Sequence, residues 1–307
     1  MATFALIHGG GSTAWDWHRV TPLLEAADHE VVAVDLPIED PAAGLDDYVR
    51  VVADAVGERG HVIVVGHSLG GFTAPLVCEA VDAAGLVYLA AMIPLPGESF
   101  GEWWTATGHD QEEIDSDPAV AFFEGVPAPL VDEARARERD QQGEWLSEPW
   151  PGAQHPKVMT RAILAADDRF FPAPFMRRQI RDRLGVEPIE VPGGHYVTLT
   201  HPDAVAAALL DVATETAAAR ELRMRRSILA AYVAVFDRAD ELLAVCAEVN
   251  GDRDATREAV QDAFGLGSVE ADAVLSMQII RFTPRLMERT RGDLADLDDQ
   301  LAEEART

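Results

Sequence analysis

Apolar residues in the first two thirds of the chain come in two alternating textures. Short runs rich in β-branched side chains recur as FALIHGG from residue 4, EVVAVDLP from 30, HVIVVGHS from 61, GLVYLAAMIP from 85, TRAILAADD from 160 and VEPIEVPGGH from 186. Their length and near-continuous hydrophobicity predict strands buried on both faces. Between them, Leu45 to Val56 and Gly70 to Ala84 carry helical periodicity, so the alternation predicts an α/β fold with a parallel sheet and crossover helices. Residues 99–155 interrupt this rhythm. They set Trp103, Trp104, Phe122, Phe123, Trp145 and Trp150 among acidic residues and contain no strand pattern. An insertion of this kind between two strands is expected to form a helical lid over a site, with Trp103, Trp104 and Trp145 as pocket residues. The plainer reading is a helical excursion whose aromatics pack on the body.

Beyond residue 216 the pattern is helical throughout. Ile228, Tyr232, Val235, Ala239, Leu242, Cys246 and Val249 recur at spacings of four and three, and Leu229, Val233, Phe236 and Leu243 widen the stripe, which predicts a helix buried on more than one side. Further helices are expected at about 254–264, 269–282 and 285–305, separated by NGDRD, GLG and Pro284. Two domains are therefore expected, 1–216 and an all-α 217–307, and 307 residues suffice for both.

Charge narrows the partners. The net charge is −28, from 53 acidic and 25 basic residues, and such a field repels phosphate backbones and anionic membranes. No apolar run reaches 18 residues, and MATFALIHGG enters a strand pattern directly, so neither membrane nor nucleic acid is expected and a cytoplasmic location is. Cys78 and Cys246 sit in apolar helical patterns as free thiols, and no His or Cys cluster has metal-ligand spacing.

The chemistry is concentrated where strands end. In VVGHSLGG, Gly66, Ser68 and Gly70 form G-x-S-x-G between a predicted strand and a predicted helix, the context in which a serine is presented as a nucleophile on a strained turn. Taken alone, the motif also suits an N-cap serine. His195, after a Gly-Gly turn, supplies a candidate base, and Asp168, after the preceding strand, a candidate acid, with Asp167 as competitor. The order Ser68, Asp168, His195 is that of α/β hydrolases. The glycine-rich LIHGGGSTAWDW supplies a loop for oxyanion donors: the backbone N–H groups of Leu69 and Gly10, with Gly9 or Gly11 as alternatives to Gly10. A phosphate-binding loop would need a Lys followed by Ser/Thr after its last glycine, and this loop lacks that pair.

Together LIHGGGSTAWDWHRVTPLLEAADHEVVAVDLP, VVGHSLGG, GLVYLAAMIPLPGESF and GGHYVTLTHPD resemble the small α/β-hydrolase-fold esterases close to the plant methyl esterase and hydroxynitrile lyase group. That resemblance implies a cofactor-free serine hydrolase acting on a small ester or lactone. Lyases of the group carry a lysine after the catalytic histidine, where this chain has Tyr196. Acyl transfer, lactone formation or C–C cleavage on the same triad stays open, because fold does not fix chemistry.

The tail carries a second resemblance. Ala273, Leu275, Met277, Ile279, Arg281, Thr283, Leu286 and Glu288 are similar to the tower and coiled-coil region of bacterial type II topoisomerase (DNA gyrase) A subunits, with departures at Ser276, Gln278 and Phe282. It implies a homodimer contact through Met277, Ile280 and Phe282. The other readings are a stripe packed within a monomer, and a ligand-binding regulator that docks onto topoisomerase. With 12 arginines against 18 acidic residues in 217–307, a grip on DNA is not expected.

Overall fold

A computed structural model describes residues 1–109 and 118–304. Six strands, β1 (Thr3–Ile7), β2 (Glu30–Ala33), β3 (Val62–His67), β4 (Gly85–Leu89), β5 (Met159–Ala165) and β6 (Ile189–Val191), form one all-parallel sheet in the order β2-β1-β3-β4-β5-β6. Period-two alternation sends Phe4, Leu6, Ile63, Val65, Val87, Leu89 and Ile163 to one face. Ala5, Ile7, Val64, Leu86, Tyr88, Ala162 and Leu164 face the other. Each face is covered by helices, so every residue of β1, β3 and β4 is buried. The edge strands are shorter or more exposed; of the run beginning at Val186, only three residues pair.

The topology positions the site. The chain leaves β1 for the outer β2, then returns to pair β3 against the other side of β1, with Leu6 opposite Val65 and Ile7 opposite Gly66. Strand order reverses at that point, and the carboxyl ends of β1 and β3 emerge side by side, the usual place for a ligand crevice in an open parallel sheet. Between β4 and β5 lie the short helices Phe100–Thr107, Pro118–Phe123 and Ala128–Arg135 and a 3₁₀ turn at Glu144–Ser147, with no strand among the described residues. Residues 110–117 of the expected lid, and the last residue of the helix expected at 285–305, lie outside the described residues. The ends of this insertion are joined: Gly97 N–H donates to Trp150 O (3.2 Å), and Trp150 N–H to Glu98 O (3.1 Å).

The chain divides into two compact units, Met1–Thr216 and Ala217–Thr307, and the division falls within the 35-residue helix Pro202–Phe236. The second unit has its own small core of Ala231, Val235, Leu242, Val260, Ala271 and Val274. The helix expected to run through Val249 stops at Phe236 and resumes as Ala239–Glu248. Val235 and Leu242, a heptad apart, stay in the same cluster across the turn at Asp237–Arg238. Similarly, the helix expected over 269–282 ends at Leu275 and is followed by a 3₁₀ turn, Ile279–Phe282, which sets Phe282 against Phe236 with ring centroids 5.7 Å apart.

Candidate active site

The buried strand β3 runs directly into Ser68, whose φ of +52° is left-handed, a conformation that costs a non-glycine residue free energy. Its neighbours explain how that strain is tolerated. A Cβ on Gly66 would stand 2.7 Å from Gly70 O, and one on Gly70 would stand 2.7 Å from His8 O. Only glycine lets the turn close this tightly against the end of β1. Met92 N–H donates to Ser68 O (3.0 Å) and ties the turn to the segment after β4.

Three side chains remote in sequence meet here. Ser68 Oγ lies 3.0 Å from His195 Nε2, and His195 Nδ1 lies 2.9 Å from Asp168 Oδ2. All three residues are buried. Asp168 Oδ1 accepts from Phe170 N–H (2.8 Å) and Phe171 N–H (2.9 Å), which fixes the carboxylate and leaves Oδ2 for the imidazole. That pattern makes Nδ1 the protonated nitrogen and turns the Nε2 lone pair toward the serine hydroxyl. Asp167, the alternative acid, is exposed and committed elsewhere: its Oδ2 accepts from Gly193 N–H (3.1 Å) and its own N–H donates to Gly193 O (2.9 Å).

Two further histidines are wired into this arrangement. Burial lowers His67 to about 3, so it is neutral, and its Nε2–H donates to the His195 carbonyl (3.0 Å). Burial likewise lowers His8 to about 4; its Nδ1–H donates to Gly9 O (2.8 Å) while Nε2 accepts from Leu36 N–H (3.0 Å). The glycine loop is therefore held from below. It is also held from the insertion, because Arg139 N–H donates to Gly11 O (2.9 Å) and its guanidinium donates to Ser12 O (3.2 Å) and Leu36 O (2.8 Å). A Cβ on Gly10 would stand 2.9 Å from Leu69 Cδ2, so the loop packs directly on the residue after the serine.

The tryptophans separate in space. Trp145, with Tyr48, Thr73, Gln141, Gly9, Gly10 and Leu69, lines a narrow crevice of only about 10 Å³ beside the glycine loop. Trp104 is half-buried on Phe170 and Phe171, which in turn pack with Phe122 around His195 at centroid distances of 4.9, 5.3 and 5.5 Å. Trp103 is fully buried, with Nε1–H donating to Ile93 O (3.2 Å), a core position behind Trp104. In the second unit, Met277 and Phe282 pack on that unit's own core, while Ile280 is 60% and Ile279 85% exposed. Sequence reading missed Arg139, Phe170, Phe171 and Gln141. Only His8 and His67 carried a signal, their adjacency to the two motifs.

Among the described residues no helix is long and apolar enough to cross a membrane, and no group of three or more His, Cys, Asp or Glu is placed to hold a metal ion. Residues 4–208 match the Alpha/beta hydrolase family. A rice protein described as "Probable esterase PIR7A" (Oryza sativa subsp. indica) is 38% identical over 112 residues, which span 32% of this chain and 42% of the rice protein. Salicylic acid-binding protein 2 of Nicotiana tabacum is 29% identical over 256 residues, 68% of this chain and 96% of that protein. Among solved structures, polyneuridine aldehyde esterase superposes with a TM-score of 0.60 at 22% identity, covering 69% of this chain and 99% of its own, a likeness of fold. The chain therefore belongs to the alpha/beta hydrolase family.

Proposed function

We propose that this enzyme hydrolyses a small carboxylic ester or lactone through an acyl-enzyme on Ser68. The observation that carries the reading is the unbroken chain Ser68 Oγ–His195–Asp168, with bonds of 3.0 and 2.9 Å, built on a serine held at φ +52°. His195 Nε2 takes the proton as Oγ attacks the acyl carbon, then returns it to the leaving alkoxide; a water repeats the sequence to release the acid. Asp168 holds the imidazole tautomer and stabilises the imidazolium. The backbone N–H groups of Leu69 and Gly10 receive the oxyanion, a contribution of roughly 3 kcal/mol for each donor in comparable sites. Residues 99–155 act as a lid, with Trp104 and Trp145 as its contributions to the substrate's surroundings and Trp103 as their support.

Wild type and Ser68→Ala are incubated with a fluorophosphonate probe and with short-chain nitrophenyl esters. Labelling and turnover in wild type, both lost in Ser68→Ala, are expected. A wild type that is neither labelled nor active overturns the reading.

We further propose residues 1–216 as the catalytic domain and 217–307 as a separate helical domain that joins two copies of the chain. The exposed Ile279, Ile280 and Leu243 support this contact, since large aliphatic side chains exposed to 85%, 60% and 66% are unfavourable in water. Met277 and Phe282 would act there by shaping the 3₁₀ turn that presents Ile280. Sedimentation of wild type against an Ile279→Ser/Ile280→Ser variant tests it: a dimer that dissociates in the variant is expected, and a monomeric wild type sinks the idea.

A further inference from the structure

Asp16 is a carboxyl group that the reaction proposed above does not use. It lies in the 3₁₀ turn Ala14–Trp17, 3% exposed, and its Oδ2 has no hydrogen-bond partner among the described residues. The Ser12 hydroxyl, four residues earlier, counters part of the upward push that burial gives this carboxyl. Ser12 Oγ in turn lies 3.3 Å from Gly9 O, the carbonyl that His8 Nδ1–H also reaches at 2.8 Å.

The peptide that follows gives this chain its meaning. In a trans peptide the C=O and N–H point in opposite directions. Donors that pin Gly9 O on one side therefore aim Gly10 N–H to the other, and the Gly9–Gly10 segment packs on Ser68 and Leu69: a Cβ on Gly9 would stand 2.9 Å from Ser68 Cβ. The orientation of one oxyanion donor thus depends on how firmly Gly9 O is held.

A serine hydroxyl has a single proton. It can donate to Gly9 O while accepting from a protonated Asp16, or donate to an ionised Asp16 and release Gly9 O, but not both at once. We infer that Asp16 is a positioning residue for the oxyanion loop, acting through Ser12: protonated, it completes a relay Asp16 O–H to Ser12 O–H to Gly9 O, and ionised, it draws the serine proton away and leaves that carbonyl, among the described residues, to His8. Burial raises Asp16 to about 7, so both forms exist near neutral pH.

The charged groups facing Asp16 are His195, Tyr196 and Asp35, with His67 against His195. Burial keeps His67 and His8 neutral, and Tyr196 is pushed far up. Asp35 Oδ1 is bound to Ala14 N–H at 2.7 Å.

The inference rests on Ser68 being the nucleophile, and the test separates the two. Fluorophosphonate labelling of wild type establishes the nucleophile first. The pH dependence of kcat and KM for nitrophenyl acetate is then measured for wild type, Asp16→Asn and Ser12→Ala, with circular dichroism to verify folding. Wild type is expected to lose kcat on the alkaline side of neutrality by roughly three- to tenfold, about the factor carried by one ordinary hydrogen bond, with KM little changed. Asp16→Asn, whose amide still donates to Ser12, is expected to keep the high plateau and lose the alkaline decline. Ser12→Ala is expected to lose the decline as well, at the lower rate. A labelled, active wild type without the decline overturns the inference while leaving the nucleophile intact. A decline that persists in Ser12→Ala also overturns it, because the Asp16 charge would then act on His195 directly through space.

Discussion

Glu98 and Arg183 form a buried ion pair at the root of the insertion, and truncating one partner has a calculable effect. Arg183 Nη1 and Nη2 meet Glu98 Oε2 and Oε1 at 2.5 and 2.8 Å, a bidentate fork, with the side chains only 6% and 8% exposed. The rest of each group is also engaged. Arg183 donates to Ile93 O (2.6 Å) and Gln179 Oε1 (2.9 Å), and Glu98 Oε2 accepts from Leu95 N–H (3.1 Å). Removing the carboxylate in Glu98→Ala leaves a guanidinium in a dry site with neutral acceptors alone, a change that costs about 3–5 kcal/mol in comparable buried pairs. For a unit of this size that corresponds to a melting point lower by roughly 6–20 °C. Replacing both partners, as in Glu98→Leu/Arg183→Met, removes the stranded charge and is expected to recover most of the loss. Urea and thermal unfolding followed by tryptophan fluorescence compare wild type, Glu98→Ala and the double variant, with Trp103 and Trp150 reporting from the same region. If Glu98→Ala costs less than about 1 kcal/mol, or if the double variant is no more stable than the single one, the pair is not the desolvated clamp described here.

Asp16 also makes stability depend on pH. Its acid is raised from 3.8 to about 7 on folding, so the native state resists ionisation and loses stability as pH rises from about 4, levelling off above about 7. Asp16→Asn should therefore be more stable than wild type by on the order of 4 kcal/mol at pH 8 and little different at pH 4, as urea titrations at the two values would reveal; a difference independent of pH refutes the assignment. Asp168→Ala is expected to lower kcat by roughly 10³- to 10⁴-fold, whereas Asp167→Ala, which loses a bond to Gly193, should stay within about tenfold; equal losses in steady-state assays would exchange their roles. Gly70→Ala forces a Cβ against His8 O (2.7 Å) and Ile7 O (3.1 Å), and overpacking of this kind should cost about 1–3 kcal/mol in chemical denaturation; a variant as stable as wild type would mean that the turn has room the contacts deny.

What the sequence by itself determined is what local physics dictates. Strands covered on both faces need unbroken apolar runs, so the α/β alternation and the parallel sheet were readable from burial pattern alone. The turn at Ser68 was equally local, since glycines two residues either side of it declare the close approach that a strand-to-helix turn requires. The order of Ser68, Asp168 and His195 then narrowed the fold. Tertiary structure decided the rest, because it concerns groups that chain proximity does not relate. Asp167 and Asp168 are neighbours in sequence, yet one faces Gly193 and the other, held by the Phe170 and Phe171 amides, faces His195. Arg139 clamps a loop 127 residues upstream of it, and the contact leaves no periodicity to detect. The stripe from Ile228 to Val249 reads the same for one long helix as for two separated by a turn, so the break at Asp237–Arg238 left no trace in the periodicity. Periodicity reports which face of an element is buried; the partner that buries it is a property of the folded chain.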